Sequence, residues 1–135
     1  MLASLNYKTP ELTINCIESI LSKKWKSTVE IWVIDNASGD DSVQKIKKQF
    51  PKINLIESRK NLGFGAGHNL VLKKVDAPFY LILNSDTLVN EKVIDEMINF
   101  MENNPSCGIA SCKVLGFDGH LQPNGGDLPF RLSLL

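Results

Sequence analysis

Short apolar runs alternate with stretches of helical period along this chain, and that alternation restricts the fold more than any other property. The runs are Leu2–Leu5, Val29–Ile34 (VEIWVI), Ile53–Ile56 and Phe79–Leu83 (FYLIL). Runs of four to seven apolar residues suit strands buried on both faces, as parallel sheets require. Between them lie helix signals. Thr9 is placed as an N-cap with Pro10 at the first helical position, and Leu12, Cys16, Ile17, Ile20 and Leu21 then recur at helical spacing. Asp40 or Asp41 caps a second helix carrying Val43, Ile46 and Phe50, which Pro51 ends. A third helix is expected after the glycines at 63–67, running to about Val75. A fourth is expected with Asn90 as its cap and Val93, Ile94, Met97, Ile98 and Met101 on one face, ending before Pro105. Residues 109–115 (IASCKVL) read as a fifth strand. Strand and helix in alternation call for a mostly parallel sheet with right-handed crossovers, the doubly wound α/β class.

Composition fits one such unit. A chain of 135 residues with 43% apolar side chains hides roughly 68% of its unfolded surface on folding, enough for a core without disulfides or metal staples. Fifteen basic and fifteen acidic side chains leave no net charge, which argues against nucleic acid or an anionic membrane surface as the main partner. Cys16, Cys107 and Cys112 show no paired CxxC spacing and read as small buried hydrophobes. The N-terminus lacks a basic region followed by a long apolar one, and no apolar run approaches the ~18 residues of a transmembrane helix. A cytoplasmic protein is the expectation.

In doubly wound sheets, ligands bind beyond the carboxyl ends of the strands, near the point where strand order reverses. Polar clusters follow all four expected strands: Asn6-Tyr7, then Asp35-Asn36-Ala37-Ser38-Gly39-Asp40, then the segment from Ser58 to Asn69, then Asn84-Ser85-Asp86-Thr87. A single loop of this kind needs only turn chemistry to explain it. Four on one edge point to a ligand. Asp86 is a carboxylate delivered from a strand, with Asn84 two residues earlier on the same side of the backbone. Few hard oxygen ligands fit Mg²⁺ or Mn²⁺ shared with a diphosphate, and no His or Cys cluster has zinc spacing. The segment Asn61-Leu62-Gly63-Phe64-Gly65-Ala66-Gly67 allows close backbone approach and opens onto a helix N-terminus, where free N–H groups favour anions. Asp35 can accept hydrogen bonds from a base edge or a ribose, and Tyr7 can stack on a planar ring. The glycines are spaced GxGxG and follow strand three, so they are not the dinucleotide fingerprint GxGxxG. His68 beside them suits a phosphate contact, a capping role or an exposed position. His120 is uninformative.

Taken in order, LNYKTPEL, VIDNASGDDS, NLGFGAGHN, LILNSDT and KVLGFDGHLQP resemble the N-terminal half of family 2 glycosyltransferases, particularly the bacterial rhamnosyltransferase-like members. The resemblance implies a GT-A, Rossmann-like nucleotide-diphospho-sugar fold and an inverting transfer of a sugar, rhamnose in the nearest likeness, to a glycan or lipid-linked acceptor. By the same resemblance Asn6 and Tyr7 border the nucleoside and Asp35 and Asn36 belong to its pocket. Asn61, Gly63, Gly67 and Asn69 lie along the donor, and Asn84-Ser85-Asp86 stands at the DXD-type position. Asp86 would hold the Mg²⁺ or Mn²⁺ that bridges the diphosphate, with Asn84 near the ribose or sugar. Asn in place of the first Asp removes a negative charge, so weak metal binding is expected.

Members of this kind continue past the matched region, and the continuation carries the acceptor site and the general base. The expected division is a donor-binding domain over 1–117 and the start of an incomplete acceptor-side region over 118–135. Asp118 and Asp127 are the late acids, both in Gly- and Pro-rich turn sequence where backbone capping accounts for them. The catalytic base is expected to lie outside this chain, and the apolar LSLL tail reads as an interrupted element. Two functions follow: a glycosyltransferase domain, peripheral membrane association being left open, or a non-catalytic nucleotide-sugar binding module completed by a partner.

Overall fold

A computed structural model describes residues 1–123. The expected fifth strand aside, the elements alternate as the sequence requires: β1 (Leu2–Asn6), α1 (Pro10–Leu21), β2 (Ile31–Asp35), α2 (Ser42–Gln49), β3 (Asn54–Glu57), α3 (Phe64–Leu72), β4 (Leu81–Asn84) and α4 (Val93–Asn103). The four strands form one parallel sheet in the order β3-β2-β1-β4, so the direction of winding reverses between β1 and β4. Asn6 stands opposite Asp35 at the last paired position of β1 and β2.

Alternation along the strands sends side chains to two cores. Val33 of β2 meets Ile17 of α1 and Ile46 of α2, and Leu2 of β1 meets Cys16 and Ile20 of α1 with Val89 and Ile94. On the opposite face, Ala3 and Ile34 pack with Val71 of α3. Helices α1, α2 and α4 therefore cover one face and α3 the other, which is the doubly wound arrangement. Pro10 occupies the first turn of α1 without losing a bond, since the first amides of a helix have no partner within it. Among the described residues, no helix is long and apolar enough to cross a membrane.

Four expectations about local structure need correction. Residues 109–115 are not a fifth strand of the sheet. Only Val114–Leu115 (β5) pairs, antiparallel with Leu121–Gln122 (β6), across a turn closed by Gly116 and Gly119. Apolar content does not supply a ladder partner, and the local turn supplies one for two residues only. The third helix begins at Phe64, not after the glycines. Gly63 precedes it at φ 74° and ψ 179°, a conformation nearly restricted to glycine. Helix α4 begins after Lys92 in a left-handed conformation, not at Asn90. Thr9, at the N-cap of α1, does not use its side chain as a cap, and of the two acids offered for α2 it is Asp40, not Asp41, whose carboxylate accepts the Ser42 amide, at 2.9 Å. The expected domain boundary at 117/118 falls in the β5–β6 turn, and Asp127 and the LSLL tail lie outside the described residues.

Two glycines within α3 separate packing from propensity. A Cβ on Gly67 would lie 2.3 Å from Leu5 Cδ1, whereas one on Gly65 would meet nothing within 4 Å. Gly65→Ala is expected to stabilise the fold by up to about 1 kcal/mol through helix propensity. Gly67→Ala is expected to destabilise it by about 1–2 kcal/mol, as overpacking against Leu5 outweighs the same gain. Urea midpoints of the two variants check this, and equal shifts would contradict it.

Candidate functional site

Every strand of the sheet delivers its carboxyl end to one edge, and two clefts open there. The first lies at the reversal point between β1 and β4, lined by Leu5, Tyr7, Thr9, Phe64, Asn84, Ser85 and Asp86. The second lies beyond β2 and β3, lined by Asp35, Ala37, Gly39, Asp40, Val43, Gln44, Glu57, Ser58 and Arg59.

Between the clefts stands a buried polar network. The Asn6 amide donates to Asp35 Oδ1 at 2.7 Å and to Ser38 Oγ at 3.1 Å, while Thr13 Oγ1 of α1 donates to Asn6 Oδ1 at 3.0 Å. Ser38 donates twice to the same carboxylate, from Oγ to Oδ1 at 2.6 Å and from its amide to Oδ2 at 3.1 Å. The Lys8 amide donates to Ser38 Oγ at 2.9 Å. A buried carboxylate is tolerable only with such partners. The loops on either side take uncommon backbone shapes, with positive φ at Lys8 (58°), Ala37 (62°) and Gly39 (69°), strain that these bonds hold in place.

On the α3 side of the sheet, Asn36 performs a parallel task. Its Nδ2 donates to Asn61 Oδ1 at 2.9 Å, and its Oδ1 accepts from the Leu62 amide at 2.9 Å. Asn61 Oδ1 in turn accepts the Gly63 amide at 2.8 Å. The glycine segment is thus tied to the end of β2. Gly67 packs beneath it against Leu5 and Asn36.

In the first cleft, Asp86 is exposed and makes no hydrogen bond or ion pair with a described residue. Asn84 is exposed beside it. Tyr7, also lining the cleft, is exposed, with Lys8 Nζ 5.4 Å from its ring centroid. Beneath the Asp86 turn, burial raises the Cys16 thiol to about 11, which makes it inert as a nucleophile. Among the described residues no three His, Cys, Asp or Glu side chains gather, so a cation held at Asp86 would take most of its ligands from a bound diphosphate, the mode usual for Mg²⁺.

Of the residues singled out from sequence, Tyr7, Asn84 and Asp86 line the first cleft and Asp35 the second. Asn6 and Asn36 are buried and act as braces. Asn61 and Gly63 form the rim loop, while Asn69 is exposed on α3 and lines neither cleft. Asp118 accepts the His120 amide within the hairpin turn, the capping role its sequence suggests. Sequence reasoning included Phe64 and Arg59 only as part of the Ser58–Asn69 segment, without singling them out, and missed Thr9 in the first cleft and Gln44 and Glu57 in the second. Arg59 carried a signal, being a cation two residues past the end of β3.

For His68 the structure corrects the exposed position that the sequence allows, and neither of its ring nitrogens makes a capping bond to a described residue. It is 2% exposed, stacks edge-on against Phe64 with centroids 4.5 Å apart, and neither ring nitrogen has a partner among the described residues. Burial lowers its pKa below 6.5.

The sequence family described as glycosyl transferase family 2 matches residues 4–127. The poly(ribitol-phosphate) β-N-acetylglucosaminyltransferase TarS of Staphylococcus aureus is 28% identical over 101 residues, a match covering 73% of this chain and 18% of TarS. The S. aureus enzyme TarP, of the same description, is 31% identical over 94 residues, covering 67% of this chain and 29% of TarP. The chain thus spans well under a third of these relatives' lengths. Among solved structures, TarS 1–349 in complex with UDP-GlcNAc superposes with a TM-score of 0.65 at 24% identity, over 77% of this chain and 31% of that one. The Pyrobaculum calidifontis mannosyltransferase PcManGT in complex with GDP-Man and Mn²⁺ gives 0.67 at 17% identity, over 74% and 31%. These likenesses are of fold, the GT-A fold.

Two measurements check this geometry. Asn6→Ala removes one of three donors from the buried Asp35 carboxylate, while Thr13 Oγ1 keeps the Thr9 carbonyl as acceptor, and is expected to cost about 1–3 kcal/mol. Tyr7→Ala, at an exposed position, is expected to change stability by less than about 0.5 kcal/mol. For His68, the folded state disfavours the protonated ring, so its contribution is fully present above pH 6.5 and declines as pH falls from 6.5 toward the lower folded value. Thermal melting between pH 7.5 and 5 is expected to show this loss, and His68→Leu to remove it. Glu11, Asp40 and Asp95 have their carboxyls lowered by hydrogen bonds from Lys45, Ser42 and the Lys26 amide. Their contributions fade only at more acid pH.

Proposed function

The chain belongs to glycosyltransferase family 2, and on that premise we propose that it is the donor-binding part of a glycosyltransferase, one that holds a nucleotide-diphospho-sugar across the two clefts with Mg²⁺ or Mn²⁺ at Asp86. The observation that carries this reading is the exposed Asp86 carboxylate, without a hydrogen-bond or ion-pair partner among the described residues, at the reversal point of the sheet, with a second cleft walled by Asp35 and Arg59. Open α/β sheets bind ligands at that point.

In this reading the base enters the second cleft, and Asp35, fixed by Asn6 and Ser38, offers an acceptor to the N–H edge of the base or to a ribose hydroxyl. Arg59 faces the same cleft. The diphosphate crosses the Asn6–Asp35–Ser38 divide toward the Asn84-Ser85-Asp86 turn, and the rim from Asn61 to Gly63 borders it. The divalent cation, when bound, offsets charge on the departing nucleoside diphosphate. Asp86 orients that cation, Asn84 hydrogen-bonds the sugar or ribose, and Tyr7 closes the opposite wall. The transfer is inverting, as the resemblance implies, and the acceptor site and its base are placed outside residues 1–123. N-acetylglucosamine is the first sugar to test, since TarS and TarP carry that activity in their descriptions, and rhamnose is the second. A glycan or lipid-linked polymer is the acceptor class.

A second reading, a non-catalytic nucleotide-sugar binding module, draws on the commitment of Asp118 to its turn, which leaves the described clefts without a late acid to serve as base. Calorimetry with UDP-GlcNAc, GDP-mannose and dTDP-rhamnose, each with Mn²⁺ and with EDTA, tests what the readings share. Mn²⁺-dependent binding is expected for at least one donor, weakened at least tenfold or so by Asp86→Ala. Absence of metal-dependent heat for all three contradicts both. Donor hydrolysis or transfer abolished by Asp86→Ala decides for the enzyme.

A further inference from the structure

The turn that carries Asp86 is tied at both ends to one turn of α1. At its start the Cys16 thiol donates to the Asn84 carbonyl at 3.6 Å, and at its end the Val89 amide donates to Ser19 Oγ at 3.0 Å. Ser19 Oγ donates in turn to the Cys16 carbonyl at 2.6 Å, which fixes the hydroxyl as an acceptor toward Val89. Within the turn, the Thr87 amide donates to the Asn84 carbonyl at 3.3 Å. The Val89 side chain is 5% exposed and joins Leu2, Cys16, Ile20 and Ile94 in the core. Asp86 has no bond of its own to a described residue, so its position is inherited from these anchors. The same helix begins at Pro10, directly after Thr9, which lines the first cleft together with Asp86. One helix therefore anchors the Asp86 turn and adjoins a second part of the lining.

We infer that Cys16 and Ser19 are positioning residues for Asp86, and that their hold on residues 84–89 sets the affinity of the first cleft for a divalent cation with a nucleoside diphosphate. The inference rests on the assignment of Asp86 as the cation ligand. The two legs differ in strength. Ser19 receives the Val89 amide at ordinary hydrogen-bond length, whereas the Cys16 bond is that of a weak sulfur donor. Cys16 is fully buried in an apolar cluster, where a thiol packs as a small hydrophobe and still donates. Loss of the Ser19 hydroxyl strands the Val89 amide and releases the exit of the turn, and the carboxylate then samples more positions than the bound one. Affinity falls through that lost preorganisation.

The test is titration of the full chain with Mn²⁺ in the presence of UDP, followed by electron paramagnetic resonance and calorimetry. Ser19→Ala is expected to weaken Mn²⁺·UDP binding about fivefold, the equivalent of one lost hydrogen bond, and to speed hydrogen exchange of the amides from Asp86 to Val89. Ser19→Thr, which keeps an acceptor hydroxyl, is expected to restore both. Cys16→Ala is expected to weaken binding less than Ser19→Ala. Val75→Ala, at a partly buried residue packed against the Ala3, Ile34 and Val71 cluster, serves as a control for general destabilisation and is expected to leave affinity unchanged. Wild-type affinity in Ser19→Ala, with binding lost in Asp86→Ala, overturns the inference while the proposed function stands. Binding retained in Asp86→Ala, or absent from the wild type, overturns the assignment of Asp86 itself. Should Ser19→Ala fail to fold, Cys16→Ala and Ser19→Cys carry the test by the same criteria.

Discussion

The Asp35 carboxylate, buried at the end of the central strand pair, is the constraint around which the sheet edge is built. Register places Asn6 opposite it, and Asn6 and Ser38 together deliver three hydrogen bonds to its two oxygens. A charge so placed would destabilise the fold by several kcal/mol without these partners. With them it fixes the β2–α2 loop against β1, draws Thr13 of α1 into the network and holds the backbone at Lys8 and Ala37 in positive φ. The two clefts are separated because this cluster fills the space between them.

The pleat divides the labour between the two faces of the sheet. Asn6 and Asp35 fall on the side covered by α1 and α2, and their bonds run to Thr13 and Ser38. Asn36, one residue on, falls on the side of α3, and its bonds run to Asn61, Leu62 and Gly63. Consecutive residues of one strand end thereby organise two different loops. The close approach of α3 depends on Gly67, whose missing Cβ leaves room for Leu5. A lysine-poor site is consistent with this construction, since an anionic ligand would be met by a cation at Asp86, by backbone amides and by Arg59.

Much of this was legible in the sequence because it follows from period and order. The apolar runs gave the four parallel strands to within about two residues, and the polar clusters after them gave the edge where the clefts open. What was not legible depended on partners distant in the chain. Residues 109–115 have strand composition, but no edge in the described structure pairs with more than their last two residues. The glycines at 65 and 67 resemble a loop by propensity, yet α3 includes them because packing against β1 requires a small residue at 67. Asn6 looks like a ligand contact in sequence and is a buried brace in the structure. Only the register with Asp35 distinguishes the two, and register is set by the fold as a whole. Arg59, from the loop after β3, and Gln44, from α2, line the second cleft together, a juxtaposition that no local pattern encodes.

Whether a divalent cation and a nucleoside diphosphate meet at the edge of this sheet, with Asp86 as the protein's carboxylate ligand, is decided by paramagnetic broadening of backbone amide resonances with substoichiometric Mn²⁺ in the presence of UDP. Broadening is expected to centre on Asn84 to Asp86 and to extend to Tyr7 and Thr9 of the first cleft, with diamagnetic shift changes at Asp35, Ser58 and Arg59 when Mg²⁺ replaces Mn²⁺. Broadening centred on other carboxylates, such as Asp40, Asp95 or Asp118, with Asp86 unaffected, would contradict Asp86 as that ligand.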